Sequence, residues 1–271
     1  TRTLGFILPD LENPSYARIA KLLEQGARAR GYQLLIASSD DAPESERQLL
    51  QLFRARRCDA LIVASCLPAG DDSYRQLQAK GIPIIAIDRV MEPAHFCSVI
   101  SDDRQASLQL TRSLLETNPR QIALISARPE LSISQERTAG FNEALAGFEG
   151  QVLIEHGESF SRECGRQLMD ELLARLGHLP DALITTSYVL LQGVFDALHD
   201  FPLKSRPLRL GTFGDTQLLD FLPLPVNAMS QQHQLIADKA LALARAAIEN
   251  DDYQPGVQAI RRTFKQRIHQ G

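Results

Sequence analysis

The chain has 271 residues, of which 44% are hydrophobic and 23% charged, an ordinary composition that excludes a disordered chain, collagen and a coiled-coil rod and suits about two domains. Its 29 basic and 33 acidic residues give a net charge of −4 at pH 7. With no basic stripe beyond the short tail Arg261–Arg267, the chain by itself is a poor candidate for gripping nucleic acid or an anionic membrane surface.

In chain order, short apolar runs alternate with longer stretches of helical spacing. Strands are expected over Leu4–Leu8, Leu34–Ala37, Ala60–Ala64, Ile82–Ile87 and a short run ending at Ser101. Helices are expected over Tyr16–Arg30, Glu44–Arg57 and, more weakly, Asp72–Lys80. Asn13 suits an N-cap with Pro14 after it, and Asp41 with Pro43 allows a similar start. Continuous apolar strands separated by amphipathic helices predict βαβ units and a parallel sheet covered on both faces.

The alternation restarts after Ser98–Asp103. Asp102 or Asp103 can cap a helix Arg104–Leu115, and the strand Ile122–Ser126 follows. A helix Glu136–Phe148 with Ser134 as its cap, a strand Val152–Glu155, a helix Arg162–Leu176, a strand Ala182–Thr185, a helix Val189–Leu198 and a strand Leu208–Phe213 complete a second half of similar rhythm. The helix Leu235–Glu249 and the stretch Val257–Ile268 can return to either half. The fold class is therefore α/β, with two Rossmann-like parallel-sheet halves.

No apolar run nears the roughly 20 residues that cross a bilayer, and the opening TRTLGFILPDLENP lacks the build of a secretory signal. A cytoplasmic place is expected, or a signal already removed. The four cysteines, Cys58, Cys66, Cys97 and Cys164, are widely spaced and read as reduced, mostly buried thiols, and the six scattered histidines give no zinc motif. No metal or other cofactor is expected. The first strand is followed by PDLENPS in place of a glycine-rich phosphate loop, and neither a P-loop nor a GxSxG elbow occurs. A binding module is favoured over an enzyme.

Ligands of open parallel α/β sheets bind beyond the carboxyl ends of the strands. Asp10, Asp88, Arg89, Thr186, Ser187 and Asp215 all fall just after strands, and Arg137 lies on the helix after one. If the halves face each other, these groups converge on one cleft. Carboxylates accept pairs of sugar hydroxyls, and arginine forks bind phosphate oxygens bidentately. Backbone N–H groups near Ser15 or Ser134 can add to an anion site, and Tyr16 offers a flat wall. Taken singly, each aspartate is as readily a helix cap, Arg89 a solvated surface group, and Ser134 and Ser187 ordinary loop residues. Their joint placement points to a sugar phosphate.

The blocks LGFILPDLENPSYARIAKLLEQGARARGYQLLIASSDD, RCDALIVAS, IPIIAIDR, QERTAGFNEAL and LRLGTFGD with MSQQH, in that order and spacing, resemble the effector-binding core of LacI/GalR-family repressors over essentially the whole chain. RPELSISQERTAGF, TTSYVLLQGV and FGDTQLLDFL add a narrower likeness to the fructose-responsive branch of that family. The resemblance implies a periplasmic-binding-protein-like core of two subdomains joined by three crossovers, near Ser101–Asp103, Met229–Gln232 and Gln254–Gln258. The N-subdomain would be 1–101 with 232–255, and the C-subdomain 102–231 with 256–271. It implies that Arg137, Asp215, Asp88 and Gln231 line the effector pocket, with Asp10, Ser15 and Tyr16 contacting ligand from the first loop and helix. Ser187 and Tyr188 depart from the Asn and Asp of sugar-responsive members, and Arg89 adds a second cation. The first departure speaks against a neutral galactoside-like ligand, the second cation favours a phosphorylated effector, and the branch implies fructose 1-phosphate, leaving open whether fructose 1,6-bisphosphate also binds.

Further expectations come with the resemblance. Operator DNA would be bound through an N-terminal helix-turn-helix headpiece absent from this chain, by a homodimer or tetramer. Effector binding would release the regulator from its operator. A periplasmic sugar-binding protein for transport shares the architecture and is the alternative.

Overall fold

The computed structural model describes residues 1–201 and 208–269, which divide into two compact units. The first comprises Thr1–Ser101 and Gln232–Ile260, and the second Asp102–Gln231 and the chain from Arg261 onward.

In the first unit the strands β1 (Thr3–Leu8), β2 (Gln33–Ser38), β3 (Ala60–Val63), β4 (Ile84–Ile87) and β5 (Cys97–Ser101) alternate with the helices α1 (Pro14–Ala29), α2 (Pro43–Ala55) and α3 (Ser73–Ala79). The later helix His233–Asn250, α8, and the strand Gly256–Ile260, β11, complete it. The sheet order is β11-β5-β4-β3-β1-β2, and every pairing is parallel. Strand side chains alternate between two cores. Leu4, Phe6, Ile62, Ile85 and Ile87 meet α1 and α8, while Ile7, Leu61, Val63 and Ile84 meet the α2 and α3 side. Burial of both faces is why β3 and β4 read as unbroken apolar runs.

The second unit holds α4 (Asp103–Leu115), β6 (Gln121–Ala127), α5 (Ser132–Ala144), β7 (Gln151–Gly157), α6 (Arg162–Leu176), β8 (Ala182–Thr185), α7 (Tyr188–His199), β9 (Arg209–Phe213), β10 (Val226–Ser230) and β12 (Thr263–Lys265). Its sheet order is β12-β10-β9-β8-β6-β7, antiparallel only at β12–β10. Ile122 and Leu124 pack with α4 and α5, and Ala123 and Ile125 with α6 and α7. The α4–α5 contact is close because α5 carries Gly140. A Cβ there would stand 2.2 Å from the Arg104 carbonyl oxygen.

Several boundaries differ from the sequence reading. The segment 256–260, expected in the second half, pairs in parallel with β5 as the edge strand of the first sheet, so the chain enters the second unit only at Arg261. The helix after β6 begins at Ser132 and not at Glu136, with Leu131 at its N-cap and no side-chain cap. That removes the capping role expected of Ser134. Ala42, not Asp41, is the N-cap of α2. Asp102 caps α4 by accepting from Gln105 N, which leaves Asp103 for another role. The last two residues, 270 and 271, assigned to the second half from sequence, lie outside the described residues.

Candidate functional site

In the first unit the polar residues gather at the carboxyl edge of the sheet. β4 leaves through a three-residue turn centred on Asp88, whose φ is +65° and whose neighbour Arg89 donates its N–H to the Ile87 carbonyl at 2.6 Å. Aspartate tolerates that left-handed backbone better than most residues, and such turns are uncommon enough to mark functional loops. The turn buries Asp88 and Arg89 together. Tyr16, on the first turn of α1, donates its hydroxyl to Asp88 Oδ2. The Arg89 guanidinium donates through Nη1 to Asp41 Oδ1 at 2.7 Å and, at 3.4 Å, to the Ser65 carbonyl. Burial opposes the Arg89 charge, but Tyr16, Asp41 and Asp88 outweigh it and its pKa is raised. Arg89 is 5% exposed, and its buried Nε has no hydrogen-bond partner among the described residues.

Asp10 stands at the exit of β1, half-buried, accepting from Glu12 N at 2.9 Å. Burial, with the neighbouring carboxylates of Glu12, Asp40 and Asp41, pushes its carboxyl above the ordinary value against that one hydrogen bond. Ser15 is committed within the chain. Its N–H donates to the Asn13 side chain at 3.0 Å and its Oγ lies 2.9 Å from His233 Nε2. The Ser15 amide is therefore taken by the helix cap, contrary to its expected place in an anion site.

The second unit builds a cluster of opposite sign. Arg137 Nε donates to Asp103 Oδ2 at 3.0 Å, and Arg262 Nε donates to Asp103 Oδ1 at 2.7 Å. Both guanidiniums lie over the ring of Phe213, with centroid distances of 4.7 and 5.0 Å. Arg137 Nη1 also donates to the Thr186 carbonyl at 2.6 Å, and Arg262 Nη1 to the Met229 carbonyl at 3.3 Å. Two arginine side chains, each 7% exposed or less, thus gather on one buried carboxylate and one aromatic face. A pair of guanidinium forks side by side is a donor set that suits an anion.

The remaining expected residues of this unit are held in different ways. Ser187 is the N-cap of α7, accepting from Leu190 N at 3.3 Å, so its hydroxyl has a structural role. Ser134 donates its hydroxyl to the Ala127 carbonyl at 2.5 Å. Asp215 accepts from Arg267 Nη2 at 2.8 Å. Gln231 is buried as the last residue of the unit before the chain crosses over. Sequence reading missed Asp41, Asp103 and Arg262 as members of these sets. Asp103 was visible only as one of two alternative caps, and Arg262 only as part of a basic tail.

Two α/β units with chemistry at the carboxyl ends of their sheets define a class of small-molecule sensor, and the sequence comparisons agree. The model of periplasmic binding proteins and sugar binding domains of the LacI family matches residues 1–200, and the chain belongs to that family. It is 47% identical over 267 residues to the fructose operon regulatory protein of Vibrio cholerae, covering 98% of this chain and 81% of that protein. It is 38% identical over 270 residues to the catabolite repressor/activator of Escherichia coli, covering 98% of this chain and 80% of that one. The crystal structure of the Cra transcriptional dual regulator from Pseudomonas putida in complex with fructose 1-phosphate is 74% identical, covers 99% of this chain and all of that one, and superposes with a TM-score of 0.98. These relatives are regulators of transcription and not enzymes or transport proteins, which disfavours the transport alternative. Among the described residues no helix is long and apolar enough to cross a membrane.

Proposed function

We propose that this chain is the sensing part of a transcriptional regulator of fructose metabolism and that its effector is fructose 1-phosphate, with the carboxyl-edge residues of each sheet as its candidate contacts. The observation that carries the reading is the pair of guanidiniums, Arg137 and Arg262, gathered on Asp103 and over Phe213. Paired guanidinium forks are apt donors to a phosphoryl group. The first unit presents the complementary balance, with Asp10, Asp41 and Asp88 against Arg89, and suits sugar hydroxyls. The buried, unpartnered Nε of Arg89 costs roughly 1–3 kcal/mol unless an acceptor meets it. The fructose 1-phosphate held by the 74% identical Pseudomonas putida protein supports the same ligand.

In this reading Ser187 and Ser134 shape their loops, and ligand contacts are carried by Asp10, Tyr16, Asp88, Arg89, Arg137, Asp215 and Gln231. Operator DNA is the partner of the assembled regulator, which works as a homodimer whose DNA affinity falls when effector binds one of two states better than the other. Sedimentation at micromolar concentration with and without effector tests the assembly. Isothermal titration tests the ligand. Fructose 1-phosphate is expected to bind far more tightly than free fructose, and Arg137→Met is expected to cost about 2 kcal/mol, roughly 30-fold in Kd. Equal affinity for the phosphorylated and free sugar would end this reading.

A further inference from the structure

One fully buried carboxylate in the first unit belongs to neither ligand set. Glu46 lies in the first turn of α2 with no solvent exposure. It accepts from Ser65 Oγ at 2.5 Å, from Cys66 N at 2.8 Å and from Tyr74 Oη at 2.6 Å. Among the described residues no lysine or arginine pairs with it. Three donors converge on one carboxyl group, whose two oxygens have the acceptor capacity to take them all.

The geometry points to Glu46 as a positioning residue that aims Arg89. The Ser65 carbonyl and the Cys66 N–H are two ends of one trans peptide plane and must point to opposite sides. Glu46 Oε1 holds the N–H end at 2.8 Å, and Arg89 Nη1 reaches the carbonyl end at 3.4 Å. The Ser65 hydroxyl, also held by Glu46, accepts from Leu67 N at 3.0 Å, which fixes the next residue of the loop. Arg89's other acceptor, Asp41, lies just ahead of α2. Both acceptors that orient the guanidinium are therefore set from the start of α2. A simple link between α2 and the loop after β3 needs one hydrogen bond, whereas the bonds to Cys66 N and Ser65 Oγ together fix how that peptide plane is turned. This inference rests on the reading above, in which Arg89 meets the effector.

A double-mutant cycle tests it. Fructose 1-phosphate is titrated into the parent chain, Glu46→Gln, Arg89→Met and the double variant, with a melting curve for each. Glu46→Gln is expected to fold and bind about tenfold more weakly. In the Arg89→Met background the same change is expected to add less than twofold, because a residue acting through Arg89 has nothing left to aim. Glu46→Gln binding within twofold of the parent, or losing the same factor in both backgrounds, overturns the inference. If Glu46→Gln does not fold, Ser65→Ala takes its place in the cycle, with an expected loss of about threefold that again vanishes without Arg89. If Arg89→Met itself binds like the parent, the effector reading of Arg89 fails and this inference with it. If Arg89→Met binds weakly and Glu46→Gln does not, the inference alone fails.

Discussion

The buried cluster of the second unit makes its sharpest prediction at Asp103. Asp103→Asn keeps the shape of the side chain but replaces two acceptor oxygens and a negative charge by one neutral oxygen and a donor NH2. Of the two guanidiniums that now reach Oδ1 and Oδ2 at 2.7 and 3.0 Å, one loses its acceptor, and both lose the neutralising charge. The three side chains are each 7% exposed or less, so solvent screening recovers little. Removing one partner of a buried ion pair costs about 3–5 kcal/mol. The Thr186 and Met229 carbonyls and the Phe213 ring remain for the arginines, which places the expected loss near the lower end, about 3 kcal/mol. For a unit of this size that lowers Tm by roughly 10 °C. The assay is thermal denaturation followed by circular dichroism, repeated with inorganic phosphate. Phosphate stabilises many proteins by exclusion from their surface, so the quantity read is the gain in the variant beyond the gain in the parent. An anion that enters beside two unneutralised guanidiniums makes that difference positive. A variant melting within about 2 °C of the parent, or gaining no more from phosphate, would refute the role of Asp103 in offsetting the two guanidiniums.

Other consequences follow from packing and burial. Gly140→Ala places a Cβ 2.2 Å from a backbone oxygen and 2.7 Å from Ser107 Cβ, so stability should fall by about 1–3 kcal/mol from overpacking although alanine favours the helix by roughly 1 kcal/mol; an unchanged urea midpoint would contradict the α4–α5 contact. Burial above all, helped by Asp59, pushes the Cys58 thiol up to about 11, and burial with Glu46 pushes Cys66 up to about 12 from an ordinary 9.0. The folded chain then keeps protons that the unfolded chain releases, so stability is expected to fall as pH rises from about 9 toward 12. At pH 8 the same burial should leave Cys58 and Cys66 slow to react with a thiol reagent in the native protein and fast in urea, with half-buried Cys164 labelled first; equal native and denatured rates would count against it.

The elements that two-faced burial makes apolar were legible from the sequence. β3, β4 and β8 are buried at every position, and the amphipathic spacing of α1 marks Ile19, Leu22 and Leu23 as its inner face. β11 was misplaced for the opposite reason. As an edge strand it is exposed over most of its length, so GVQAI carries no burial signature that says which sheet it joins. The polar partners were hidden by distance along the chain. Arg89 and Asp41 are 48 positions apart, and Arg262 and Asp103 are 159 apart. Periodicity assigns a residue to a face, but it cannot pair two charges across crossovers. The cap grammar failed in an informative way. Asp102 and Asp103 are equally good caps by type, and only the helix start decides that the first caps α4 while the second turns inward to bind arginine.

Under the proposed function, each unit's polar set bears separately on whether a phosphate ester or a free sugar is the better ligand. A neutral sugar needs acceptors and donors in rough balance and no net charge in the wall. The first unit approaches that, since its single buried guanidinium is held among carboxylates. The second does not. Arg137 and Arg262 share Asp103, and Asp215, the other acid expected there, is engaged by Arg267, which Asp220 also accepts from at 2.9 Å. Stacking on Phe213 lets the two like charges stand close at a modest cost, but it cannot cancel their field. Under the proposed function, a ligand that brings its own negative charge suits these two guanidiniums better than a neutral sugar does.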